Sequence, residues 1–285
     1  MEREDPGRSP FVYLAALTII SVALIWVNAL IGMRIPFTVH FLIGYVGALL
    51  VFVVWHAVLT KGWKRSLLMF GLSFLIAFTA EALGVNFGLV FGRYFYSDAL
   101  GVQLFGVPFL AALAWEPIVY AAFCITDLLS SWLAGSPQAN GLRTSLVWLA
   151  ISGALATTAW DMMIDPIAVQ QGWWVWVDGG PYVPYVANGV PIQNFIGWLG
   201  VAFVINLIYW LIINQMPQPR RSPYLTGYGP LMLYVSLFMT SSGVAITILR
   251  RPEVALIGLL AMGPFLAIGA GILGFVRRGE LWERT

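Results

Sequence analysis

The chain has 285 residues, of which 60% are hydrophobic and only 10% charged, against about 45–50% and 25% in soluble domains. So few charges cannot cover a water-soluble globule, and so apolar a chain is not disordered. A formal net charge of +2 with no Lys/Arg run longer than two residues excludes a nucleic-acid partner. The single Cys124 excludes an internal disulfide or a cysteine metal cluster, and two histidines exclude a His-rich di-iron site.

What remains is an all-α, polytopic transmembrane helical bundle, read as a single integral membrane domain over 1–285. A bilayer core of about 30 Å needs about 20 apolar residues per helix. In chain order the spans fall at 11–33, 38–59, 66–85, 105–129, 145–165, 191–214, 230–249 and 254–276. That makes eight, with seven as the alternative. The first apolar run follows a mixed, acidic start and is long enough to span, so it does not read as a cleaved signal. Alternating the spans puts eleven Lys/Arg on one side and four on the other. By the positive-inside rule both termini are cytoplasmic, in the cell membrane. The stretch 166–190, rich in Gly, Pro, Trp and Tyr, reads as an outer interfacial loop. Glycine runs at Gly84, Gly88 and Gly92, and at Gly269, Gly271 and Gly274, read as sites of close helix packing. His40 and His56, flanked by apolar residues, read as structural.

Four carboxylates lie inside these spans, away from the cytoplasmic ends: Glu81, Glu116, Asp161 and Asp165. An Asp at a helix centre costs about 2.5–3.5 kcal/mol to insert, so such residues usually face the bundle interior and act there. Asp161 and Asp165 are four apart and share a helix face, with Thr157 and Thr158 continuing the stripe. Two like charges one turn apart do not both ionise cheaply. A shared proton leaves one carboxylic acid, the form a general acid requires. The structural alternative is a hydrogen-bonded pair closing the helix before Pro166. For Glu81 the alternative is an interfacial carboxylate. For Glu116 it is a buried acid against the backbone loosened by Pro117.

Counting depth along the alternating spans brings Glu81, Asp161 and Asp165 to the outer half of the bilayer, with Asn194 and Trp198 level with them. Arg93, Tyr94 and Tyr96 join from the loop after the third span, with Arg93 pairing to Glu81 or Asp165. Trp160, Trp173, Trp174 and Trp176 wall the group. Part of the aromatic content, 15% of the chain, is an interfacial belt. The density near 173–185 suits a tunnel for a long apolar ligand, or a cage for a carbocation, which each aromatic face stabilises by about 0.5–2 kcal/mol. Carboxylic acids and aromatic faces in lipid suit acid chemistry on an apolar alkene. Buried carboxylates are equally natural in a proton-coupled transporter.

Three segments, EALGVNFGLVFGRYFYSDALG (81–101), AWDMMIDPIAVQQGWWVW (159–176) and GVPIQNFIGWL (189–199), resemble the membrane-embedded carotenoid biosynthesis proteins that include bisanhydrobacterioruberin hydratase and γ-carotene 1′,2′-hydratase. The resemblance covers about 40–215. It implies cofactor-free addition of water to the terminal C1=C2 bond of an acyclic carotenoid, C40 or C50, giving a tertiary alcohol at C1. Carried onto the motifs, the site is Glu81, Arg93, Tyr94, Tyr96, Asp161, Asp165, Trp176 and Asn194. Asp161 or Asp165 is the acid, and the other, or Glu81, positions water. Glu116, Trp160, Trp173 and Trp198 are added from burial cost and depth alone, as substrate- or water-positioning groups. The implied surroundings are the lipid bilayer and, as partners, a second copy or other carotenoid enzymes. Another isoprenoid enzyme, a cyclase or prenyltransferase, is the nearest rival. One WDxxxD motif without a second acidic motif makes a metal-diphosphate site the weaker choice.

Overall fold

A computed structural model describes residues 39–134, 145–178, 180–184, 189–216 and 223–277. Seven described helices are long and apolar enough to cross a membrane. They are α1 (Val39–Lys61), α2 (Trp63–Phe87), α3 (Phe109–Ala134), α4 (Leu146–Gln170), α5 (Ile192–Ile213), α6 (Pro223–Gly243) and α7 (Pro252–Arg277). Each answers one expected span, α6 starting seven residues before its expected 230 and giving way to a π turn at Val244–Ile248, and the expected span at 11–33 lies outside the described residues. All-helical spanning follows from the solvent. Lipid offers no hydrogen bonds, so each segment must satisfy its own backbone.

The bundle is layered around α3, whose apolar stretch is 72% buried against 28% for α7. Val51, Leu67, Leu75 and Leu260 are exposed on α1, α2 and α7, where lipid replaces protein as their solvent. Helices α4 and α5 pack as a close pair. A Cβ added at Gly153 would come within 2.6 Å of Asn206 Oδ1, so the glycine is what lets the two backbones approach.

Between α2 and α3, and again after α4, the chain forms short strands where the sequence suggested only loop. Strand β1 (Arg93–Tyr96) pairs antiparallel with β4 (Trp174–Asp178), with Tyr94 opposite Trp176 and Tyr96 opposite Trp174. Strands β2 (Gln103–Leu104) and β3 (Val107–Pro108) form a hairpin turned at Phe105 and Gly106, both at positive φ. Asn86 Nδ2 donates to the Phe105 carbonyl at 2.8 Å and holds that turn to the end of α2.

Two boundaries differ from the reading above. Helix α4 continues through Pro166 to Gln170, so Asp165 lies one turn inside the helix rather than closing it. The stretch expected to be a plain interfacial loop therefore starts as helix and contains β4. The first glycine run also serves another purpose than helix–helix packing. Gly84 admits the Tyr94 ring, whose Cε1 would lie 2.7 Å from an added Cβ. Gly88 takes the left-handed conformation that ends α2.

At the end of the bundle away from the strands, Lys61 and Asp127 form a buried ion pair of 3.2 Å. Beside it Arg65 donates to the carbonyls of Ile213 and Met216, at the C-terminal end of α5. His56 bonds the Tyr120 hydroxyl at 2.6 Å through Nδ1 and stacks on Phe52, as a structural histidine should. His40 has no described side chain. Asp127 went unnoticed in the sequence because it stands at a span end, where charge is common.

Candidate functional site

Helix α2 delivers Glu81 near its strand end, and the sheet closes over it. Side chains alternate along β1, so Tyr94 and Tyr96 point inward while Arg93 and Phe95 point out. Both phenols donate to Glu81 Oε2, Tyr96 at 2.8 Å and Tyr94 in a close contact. Trp115 of α3 donates its indole N–H to Glu81 Oε1 at 3.0 Å. Three donors thus converge on one buried carboxyl group, the complement of an acceptor. Burial first, and the charge of Glu81 second, hold the Tyr94 and Tyr96 phenols well above the ordinary tyrosine range, so they remain donors.

Helix α4 presents Asp161 and Asp165, four residues apart, on one face. Asn194, in the first turn of α5, spans the pair. Its Nδ2 donates to Asp161 Oδ2 at 3.0 Å and to Asp165 Oδ2 in a closer contact. Trp174 Nε1 donates to Asp165 Oδ1 at 3.2 Å. Asp161 is fully buried and its Oδ1 has no hydrogen-bond partner among the described residues.

These groups face a cavity of about 100 Å³ that opens to the outside of the bundle. Its polar lining includes Glu81, Asp165, Asn194, Tyr94 and Tyr96, together with Tyr45, Thr240 and Ser241. Indoles form much of the rest: Trp115, Trp160, Trp173, Trp174, Trp176 and Trp198. Trp115 and Trp198 stack at 3.6 Å between centroids, 9° from parallel, and Trp160 meets Trp198 edge-on. Trp176 lies over Tyr94 and donates to the Phe91 carbonyl at 2.9 Å. Asp161 is not part of the lining and sits behind Asp165 and Asn194.

Most residues singled out in the sequence therefore meet in one place, and two do not. Arg93 is exposed on the outward face of β1, opposite Asp178 in register, and does not pair with Glu81 or Asp165. An expected ion pair is replaced by tyrosine donors because alternation along a strand puts residues 93 and 94 on opposite faces. Glu116 is buried but absent from the lining, although its neighbours Trp115 and Pro117 belong to it. One residue along a helix is a 100° turn, and Glu116 faces Ser73 of α2 instead. Trp115, Tyr45, Thr240 and Ser241 were missed. Trp115 is one tryptophan among thirteen, and the hydroxyls sit in spans with no carboxylate to draw attention.

Seven described spanning helices around an internal cavity of acids and indoles define a multi-pass helical membrane protein with a polar site in an apolar frame. Residues 37–264, well over half of the chain, match the model of a family described as carotenoid biosynthesis protein. The chain belongs to that family, and its role is in carotenoid biosynthesis. No curated protein and no solved structure matches it.

Proposed function

We propose that the protein is a carotenoid 1,2-hydratase, adding water to the terminal C1=C2 bond of an acyclic carotenoid end without a cofactor. The observation that carries the reading is the Asp161–Asp165–Asn194 group beside an indole-lined cavity. Asp165 faces the cavity and gives its proton to C2, which puts the cation on tertiary C1. Asp161 and Asn194 hold the Asp165 carboxyl in place from behind. The faces of Trp115, Trp198 and Trp160 surround the cation, each contributing about 0.5–2 kcal/mol. Water then bonds to C1, and Glu81 or the Asp165 carboxylate receives the proton it releases. Tyr96 donates to Glu81 and lines the same cavity as Asp165.

The orientation belongs to the same reading. Lys61, Lys64 and Arg65 cluster at the end of the bundle remote from the site, which favours a cytoplasmic location for that end and an outer-leaflet site in the cell membrane. The test is expression in a bacterium that accumulates an acyclic carotene, with pigments resolved by liquid chromatography and mass spectrometry. A product heavier by one water supports hydration. A product isomeric with the substrate would replace it with cyclisation. Unchanged carotene with the protein present in the membrane would reject chemistry on that substrate.

A further inference from the structure

The cavity has a second polar wall, built without carboxylates. Near its C-terminal end α6 reads Ser236, Thr240, Ser241 and Ser242. Ser236 and Thr240 are one turn apart and share a face toward α1, where Tyr45 Oη lies 3.1 Å from Ser236 Oγ. Trp160 Nε1 donates to Ser241 Oγ at 3.3 Å. Tyr45, Thr240 and Ser241 all line the cavity that Glu81 and Asp165 face.

Thr240 is unlike the other threonines. A threonine inside a helix normally returns its hydroxyl to the carbonyl four residues back. Thr60, Thr79, Thr126, Thr157, Thr158 and Thr247 all do so. Thr240 is only 5% exposed, and its Oγ1 makes no bond to its own helix backbone; it is turned instead toward the Tyr45 hydroxyl. A pair of hydroxyls at the wall of a cavity, one of them spared by its own backbone, is a place for an oxygen ligand. Immediately beyond, the helix widens into a π turn, with Leu249 N bonded to Val244 O at 3.0 Å. Such single turns occur often at functional sites.

We propose that Thr240, with Ser241 and the Tyr45 hydroxyl beside it, holds the water that adds to the substrate. This rests on the hydration reading and names its second reactant's site. Thr240 Oγ1 accepts a hydrogen bond from the water, leaving a water lone pair free for C1. The alkene electron pair takes the Asp165 proton at C2, the water lone pair forms the C1–O bond, and one water proton passes back to the Asp165 carboxylate. The acid is restored, and neither hydroxyl is consumed.

The test uses membranes carrying the full chain, an acyclic carotene and D₂O. The wild type forms hydrated product labelled at C2. Thr240→Val is expected to slow hydration about tenfold, the effect of one lost hydrogen bond. Recovered alkene should meanwhile gain deuterium, because the cation still forms and then loses a proton. Thr240→Ser restores hydration, and Ser241→Ala weakens it in the same sense as Thr240→Val. Hydration at the wild-type rate in Thr240→Val would overturn the water site. So would a parallel loss of hydration and deuterium exchange at normal protein level, which would mean that Thr240 supports the acid or the packing. A wild-type chain that hydrates no acyclic carotene would overturn the hydratase reading first, and is seen before any variant is compared.

Discussion

Replacing Asp165 and Asp161 separately tests whether a carboxyl that faces the cavity differs in kind from one buried behind it. Asp165→Asn keeps the volume and loses the proton to be donated. General acid catalysis is worth about 10²–10⁴-fold, so hydration should fall by that factor. Asp161→Asn leaves the donor in place. Asp161 is fully buried, and its one direct bond to Asn194 is 3.0 Å long. Losing a hydrogen bond to an ionisable group costs about 1.5–3 kcal/mol, or about 10- to 150-fold in rate if all of it is felt in the transition state. Initial rates in membranes, normalised to protein amount, should therefore rank wild type above Asp161→Asn and Asp161→Asn above Asp165→Asn. An Asp165→Asn protein that keeps more than a tenth of the activity while Asp161→Asn has none would refute the assignment. Near-normal rates in both would refute the acid site altogether.

Gly84→Ala puts a methyl group 2.7 Å from Tyr94 Cε1, so Tyr94 must leave Glu81; a loss of about 1–3 kcal/mol in stability and a drop in hydration rate are expected, read from detergent melting and product formation. Arg93→Ala, on the outward face of β1, should change the rate by no more than about twofold, as for other exposed positions. A larger drop would return Arg93 to the site. Glu116→Met removes two buried carboxyl oxygens that have no hydrogen-bond partner among the described residues; stability should rise, by about 1–3 kcal/mol at most, seen as a higher thermal midpoint with hydration retained.

The spans were legible because lipid sets a length and a composition, and about 20 apolar residues satisfy both. The convergence of Glu81, Asp161, Asp165 and Asn194 was legible for the same reason, since alternating spans of known length fix depth. Depth does not fix direction around a helix axis or across a strand. Glu116 and Trp115 are neighbours at one depth, and only the packing of α3 against α2 and the strands decides that the indole, not the acid, meets Glu81. β1 was hidden because RYFY carries no polar–apolar alternation and four residues are too few to show a period. The tyrosines at 94 and 96 nevertheless have the spacing of a strand face, and that spacing leaves Arg93 out.

The hydroxyl wall was hidden for a chemical reason. Serine and threonine cost little in a membrane helix because they bond to their own backbone, so their presence there carries no signal. The signal arises only when the helix has formed and one hydroxyl has declined its carbonyl. A carboxylate announces a site through its insertion cost, whereas Thr240 does so through a bond it leaves unmade. The two walls of the cavity therefore call for different kinds of evidence. The acid wall could be located by cost along the chain. The Thr240 wall requires a census of partners in the folded bundle, which is why its role rests on comparison with six other threonines rather than on a motif.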